Sequence, residues 1–274
     1  MYELEYVKKR KRRKVAAIVG GVSTIVVATL CIVSFLCRFV GTFTVSLDTG
    51  NVKLTLSQQS NFATQTSFLR IDNLPTFQEF TYGTFEEKYG DEKIDSEETD
   101  LSLGGNTKSD GTITSLNFFK YTFFVKNVGE SPARYNFTVN ILDRQADTTT
   151  DVARTLDKTI RVMIYDNDQS ADTHDKKVYA ARYPESHIDE NGEKSWASPI
   201  TVANPDDPVY AGYAEEFQNE RVITTLSVAD FDIGDIRRYT IVIWLEGYQS
   251  SHLDEAPKGA NMKIGVEINA YENQ

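Results

Sequence analysis

From Asn117 to Leu142 apolar side chains recur at every second position, and that period constrains the fold more than any other feature of the chain. Phe119, Tyr121, Phe123 and Val125 share one side of the first half, with Lys120, Thr122 and Lys126 on the other, where Phe118 and Phe124 join them. After a turn at 127–132, Tyr135, Phe137, Val139 and Ile141 alternate with Arg134, Asn136, Thr138 and Asn140. A strand turns successive side chains to opposite faces, whereas a helix repeats every 3.6 residues, so this segment reads as a pair of strands.

The same period returns along the chain. Phe43, Val45 and Leu47 alternate with hydroxyl residues ahead of a Thr49-Gly50-Asn51 turn and Val52 to Leu56, which reads as a hairpin. Ile160, Val162 and Ile164 share a face within 159–165, and a short strand is expected over 176–181, with further strands over 222–228 and 262–271. In 238–246 Tyr239, Ile241, Ile243 and Leu245 fill one face while Val242 and Trp244 fill the other, the pattern of a central strand. Trp244 therefore reads as core rather than as a ligand platform. Nine or ten strands, with only a short helical turn near 151–156, predict an all-β fold, an antiparallel sandwich or jelly roll.

Two stretches depart from the pattern. Residues 72–116 hold an Asn73-Leu74-Pro75 break, a run of carboxylates from Glu86 to Asp100, and Gly104-Gly105, which reads as a long acidic loop. Residues 182–220, with Pro184, Pro199, Pro205 and Pro208, read as a second.

Ahead of the strands, seven basic residues, Lys8 to Lys14, precede Val15 to Cys37, twenty-three residues without a charge. At about 1.5 Å per residue such a helix crosses a hydrocarbon core of about 30 Å. The basic run places the N-terminus on the cytoplasmic side. The expected organisation is a tail over 1–14, a transmembrane signal anchor over 15–37, and an extracellular domain over 38–274 beginning close to the bilayer. Residues 34–41 offer no small-x-small cleavage site. Ala16, Gly20, Thr24 and Ala28 form a ridge of small residues along the span, along which a second copy could approach.

Setting aside the seven basic residues of the tail, with Glu3 and Glu5, from totals of 29 and 40 leaves 22 basic and 38 acidic residues outside, a net charge near −16. Such a surface repels nucleic acid, so the expected partners are the membrane, a second copy, and matrix or cell-wall components. Both cysteines, Cys31 and Cys37, fall in the span, so the exterior uses no disulfide. A chain of this size can bury enough core without one, and the lack leans toward a Gram-positive surface.

Chemical signals are sparse. Asp166-Asn-Asp168-Gln-Ser170 opens like a calcium loop, but Ala171 stands where the turn glycine belongs and Lys177 where the bidentate glutamate belongs. His174, His187 and His252 are scattered, with no His-Glu-x-x-His spacing for zinc. Ser251-His252 beside Asp254 has the residue types of a triad, yet neighbours in sequence seldom meet as one. Asn136-Phe137-Thr138 matches a glycosylation sequon inside a strand, and Leu74-Pro75-Thr76 is no cell-wall sorting signal. No nucleophile elbow, phosphate loop or dinucleotide fingerprint occurs. No catalytic, metal or cofactor residue is therefore assigned.

Gly41-Thr-Phe-Thr-Val-Ser-Leu47, Phe123-Phe-Val-Lys-Asn127-Val-Gly129, Ile160-Arg-Val-Met-Ile164 and Arg238-Tyr-Thr-Ile-Val-Ile-Trp-Leu-Glu-Gly247 resemble an uncharacterised group of membrane-anchored surface proteins of Gram-positive bacteria. In layout the chain is similar to the camelysin/TasA-like family. That resemblance implies a jelly-roll domain following an N-terminal signal, in proteins that often end in extracellular matrix fibres. The Ala-rich site at which fibre-forming members are released has no counterpart here, which favours a protein that stays anchored. The functions in view are a structural, adhesive or matrix-associated module and, alternatively, a surface hydrolase acting on wall polymer or protein.

Overall fold

A computed structural model describes residues 41–272, leaving out 51, 97–98, 100–102, 147–154, 169–174, 184–185, 190, 202–209 and 247–259. The expected tail, the span and the Ala16–Ala28 ridge lie outside the described residues. Among those described, no helix is long and apolar enough to cross a membrane.

The chain is all-β. In order it forms β1 (Gly41–Asp48), β2 (Leu54–Ser57), β3 (Phe68–Leu74), β4 (Thr76–Phe77), β5 (Glu79–Phe80), helices α1 (Tyr82–Lys88) and α2 (Gly90–Ile94), β6 (Gly105–Thr107), β7 (Ile113–Leu116), β8 (Phe118–Asn127) and β9 (Ala133–Gln145). A 3₁₀ turn (Leu156–Lys158) precedes β10 (Ile160–Asp168) and β11 (Lys176–Ala180). Short strands β12 (His187–Ile188), β13 (Lys194–Ser195), β14 (Pro199–Thr201), β15 (Tyr210–Tyr213) and β16 (Glu215–Glu216) lead to β17 (Val222–Phe231), β18 (Ile236–Glu246) and β19 (Asn261–Glu272). A five-stranded sheet runs β17-β9-β19-β1-β3, and a seven-stranded sheet runs β16-β11-β10-β18-β8-β2 with β5 beside β18.

The expected strands are present, but two expected pairings are not. β1 and β2 fall in different sheets, as do β8 and β9. Burial explains why. β8 is buried on both faces, β9 on one only, its outward residues staying half-exposed or exposed. A strand apolar on both sides needs a sheet covered on both sides, so β8 joins β10 and β18, which share its two-sided pattern. Nor are the sheets wholly antiparallel. β1 runs parallel to β19, pairing Val45 with Val266 and Leu47 with Ile268.

The two sheets share one apolar core, with ring contacts crossing between them. Phe137 of β9 stacks on Tyr239 of β18 at 4.2 Å, and Phe43 of β1 meets Phe119 of β8 at 5.2 Å. Within that layer the Tyr135 and Tyr239 hydroxyls meet at 2.9 Å. Burial pushes both phenols well above their ordinary range. A raised folded pKa gives stability that is complete below the unfolded value of about 10 and declines above it, because the unfolded chain releases protons that the fold retains. The denaturation midpoint should therefore fall as pH climbs past about 10, and Tyr135→Phe should flatten that fall. A midpoint indifferent to pH across this range would contradict the buried pair.

A second apolar cluster lies on the far side of the seven-stranded sheet, where Phe118, Met163, Val242 and Trp244 are covered by Tyr82, Phe85, Ile94 and Ala214. Residues 72–116 are thus not a loop throughout. Tyr82, Phe85 and Tyr89 recur at helical spacing leading into the acidic run, and with Ile94 they seat the two short helices on the sheet. Residues 182–220 likewise carry β12 to β16, with Ala214 in the same cluster. At the edge of this layer, a Cβ on Gly104 would meet the Phe118 carbonyl oxygen at 2.1 Å. Gly104→Ala should cost about 1–3 kcal/mol in chemical denaturation, since backbone rather than a mobile side chain must yield.

Candidate functional site

The densest polar chemistry among the described residues sits beneath α2, on the outer face of the seven-stranded sheet. The helix is five residues long and ends on Asp95, whose backbone N–H donates to the Asp91 carbonyl at 2.7 Å. That geometry turns the Asp95 side chain into the sheet, where the residue is 2% exposed. Its Oδ1 accepts a hydrogen bond from Thr240 at 2.8 Å, and its Oδ2 accepts from Asn167 at 2.6 Å and Arg238 at 2.8 Å. Thr240 also meets Thr122 at 3.0 Å, and the buried Lys120 ammonium donates to Ser96. One turn earlier, Asp91 Oδ1 accepts from both the Tyr165 hydroxyl and Lys176 Nζ, each at 2.7 Å. Burial, and then the bond to Asp91, raises the Tyr165 phenol far above its usual range, holding it as a donor.

A second buried polar group lies further along the same sheet. The Trp244 indole N–H donates to Glu246 at 3.0 Å, and Arg161 Nη1 donates to the Ile160 carbonyl at 2.9 Å. Burial pushes the Arg161 guanidinium down to about 10 against the opposing pull of Glu246, so it keeps its charge at neutral pH.

This arrangement clasps a segment to a sheet. Asp91 is engaged by two donors from β10 and β11, and Asp95, just past the end of α2, by three from β10 and β18, so both carboxylates serve to hold the segment in place. Among the described residues, no group of three or more His, Cys, Asp or Glu is placed to hold a metal.

The residues weighed from sequence are dispersed. Asp166, Asn167 and Asp168 continue strand β10 instead of opening a loop, and Asp166 is held by Arg237 at 2.6 and 3.2 Å. His187 stacks on Tyr213 at 3.9 Å. Asn136 lies on the outer face of β9, where it accepts a hydrogen bond from Ser227 at 2.9 Å. Trp244 is core. Leu74 closes β3 and Thr76 opens β4. His174, Ser251, His252 and Asp254 lie outside the described residues. Sequence reasoning missed Asp91, Asp95, Arg238 and Thr240. The available signal was the polar residues Lys120, Thr122, Arg161 and Asn167, set in strands that are otherwise apolar on both faces.

No family model, curated protein or solved structure matches the chain.

Proposed function

We propose that the chain is a membrane-anchored extracellular β-sandwich that works as an interaction module at a bacterial cell surface. The charge-free stretch 15–37 behind its basic run supports the anchor and its direction. The observation that carries the module reading is the asymmetry of the fold: one sheet is covered on both faces, while the other turns a polar face outward with no described element packed over it. Asp91 and Asp95, the carboxylates gathered beneath the short helices, are both committed to strand side chains, which supports a structural role for that cluster over a hydrolytic one.

The cysteine-free exterior makes the topology directly testable. Ser131→Cys, exposed in the turn between β8 and β9, should react with a membrane-impermeant maleimide on intact cells, while a cysteine placed within 1–14 should react only after lysis. The opposite pattern, or equal protection of both, would rule the surface reading out.

A further inference from the structure

The open face of the five-stranded sheet has a regular chemistry. Strand register sets Thr225 of β17, Thr138 of β9, Glu267 of β19, Ser46 of β1 and Phe68 of β3 in one row across all five strands. Asn136 and Asn269 face each other in the adjoining row. Three properties of this face point to one kind of partner.

The first is charge. Arg70 on the same face is neutralised by Asp72 at 2.6 Å, and the row itself carries one carboxylate among hydroxyls. In a domain with so large an acidic excess, polyanions are repelled, and basic partners are better served elsewhere on the surface. A near-neutral face suits an uncharged ligand rich in hydroxyl or amide groups.

The second is spacing. Adjacent strands lie about 4.8 Å apart, close to the advance of one sugar ring along an extended glycan, so the row spans roughly 20 Å, or four to five rings. The third is the end of the row. Phe68 is 49% exposed, and an aromatic face beside hydrogen-bonding groups is the combination that grips a sugar, whose rim is polar and whose face is C–H.

We infer that this face binds an extended, uncharged β-linked polysaccharide lying across the strands. Glu267 and the hydroxyl oxygens of Thr225, Thr138 and Ser46, whose own hydrogens are engaged within the sheet, accept hydrogen bonds from successive sugars, and Phe68 stacks on the terminal ring. The inference deepens the surface-module reading and rests on it only for where the glycan is met. Binding is measured apart from cell topology, so the two can fail separately.

The test is calorimetric titration of the full chain in detergent micelles with a β-1,4-linked N-acetylglucosamine hexamer, against an α-1,4-linked glucose hexamer of the same length. The β-linked probe should bind, and the curved α-linked one should bind at least tenfold more weakly. Glu267→Ala and Phe68→Ala should each weaken binding at least tenfold without moving the denaturation midpoint, because both side chains are exposed. Lys177→Ala, at an exposed ion pair on the other sheet, should change nothing. Lack of binding, equal binding of the two probes, or indifference to Glu267→Ala and Phe68→Ala would overturn the inference. So would concentration-dependent self-association that either variant abolishes, since the face would then belong to a second copy.

Discussion

Phe137→Ala should lower the unfolding free energy by about 3–5 kcal/mol, the range for deleting a large aromatic side chain from a packed interior. Phe137 has no exposed surface and sits where the two sheets meet, stacked on Tyr239 at 4.2 Å and facing Phe123 at 6.2 Å. Losing the ring removes both apolar burial and the offset stacking that links β9 to β18. The walls of the resulting void belong to two hydrogen-bonded sheets, which cannot close on it without disturbing their ladders. The hydroxyl pair between Tyr135 and Tyr239 would also lose lateral support. Phe137→Leu keeps most of the volume and should cost under about 1.5 kcal/mol. Denaturant titration of the full chain in micelles should show the midpoint falling with an unchanged slope. A Phe137→Ala loss no larger than that of Phe137→Leu would mean that the sheets do not meet at this ring.

Strand identity was legible in the sequence, but strand partnership was not. Period-two alternation in 117–142 fixes which side chains point inward, and the structure keeps that assignment for Tyr135, Phe137, Val139 and Ile141. Alternation says nothing about which neighbour supplies the hydrogen bonds, so the adjacent runs β8 and β9 read as a pair although they belong to opposite sheets. The signal that separates them was present in Phe118 and Phe124, which make β8 apolar on its second face while β9 turns Arg134, Asn136, Thr138 and Asn140 outward. The parallel pairing of β1 with β19 joins segments more than two hundred residues apart, and local pattern carries no trace of it.

The acidic stretch misled for a different reason. Between Glu86 and Asp100 the carboxylates dominate composition, and composition alone describes a solvated loop. Burial depends on position instead: Asp95 turns inward because Thr240, Asn167 and Arg238 supply donors to it, while Tyr82, Phe85 and Ile94 provide the apolar contacts that close the segment over it. A buried carboxylate cannot be recognised from its own neighbours in sequence when its partners lie 72 to 145 residues away.

Asp95→Ala should therefore be among the most damaging single changes outside the inter-sheet core, costing about 3–5 kcal/mol. The energy is not the value of three hydrogen bonds, since the unfolded chain makes equivalent bonds to water. It comes from what the deletion strands: a guanidinium, an amide and a hydroxyl remain aimed at an empty position on a covered sheet face. Asp95→Asn keeps the shape but presents an amide donor to groups that are themselves donors, so its cost should fall between wild type and the alanine variant. Because the clasp holds α1 and α2 rather than the sheets, the loss should show first as local opening, with trypsin cutting after Lys88 or Lys93 under conditions where the strands remain intact. Thr240→Val combined with Asp95→Ala should be clearly less than additive, because each removes the same contact. Full additivity, or global unfolding with no earlier cleavage in 82–96, would show that the carboxylate does not anchor this segment to the sheet.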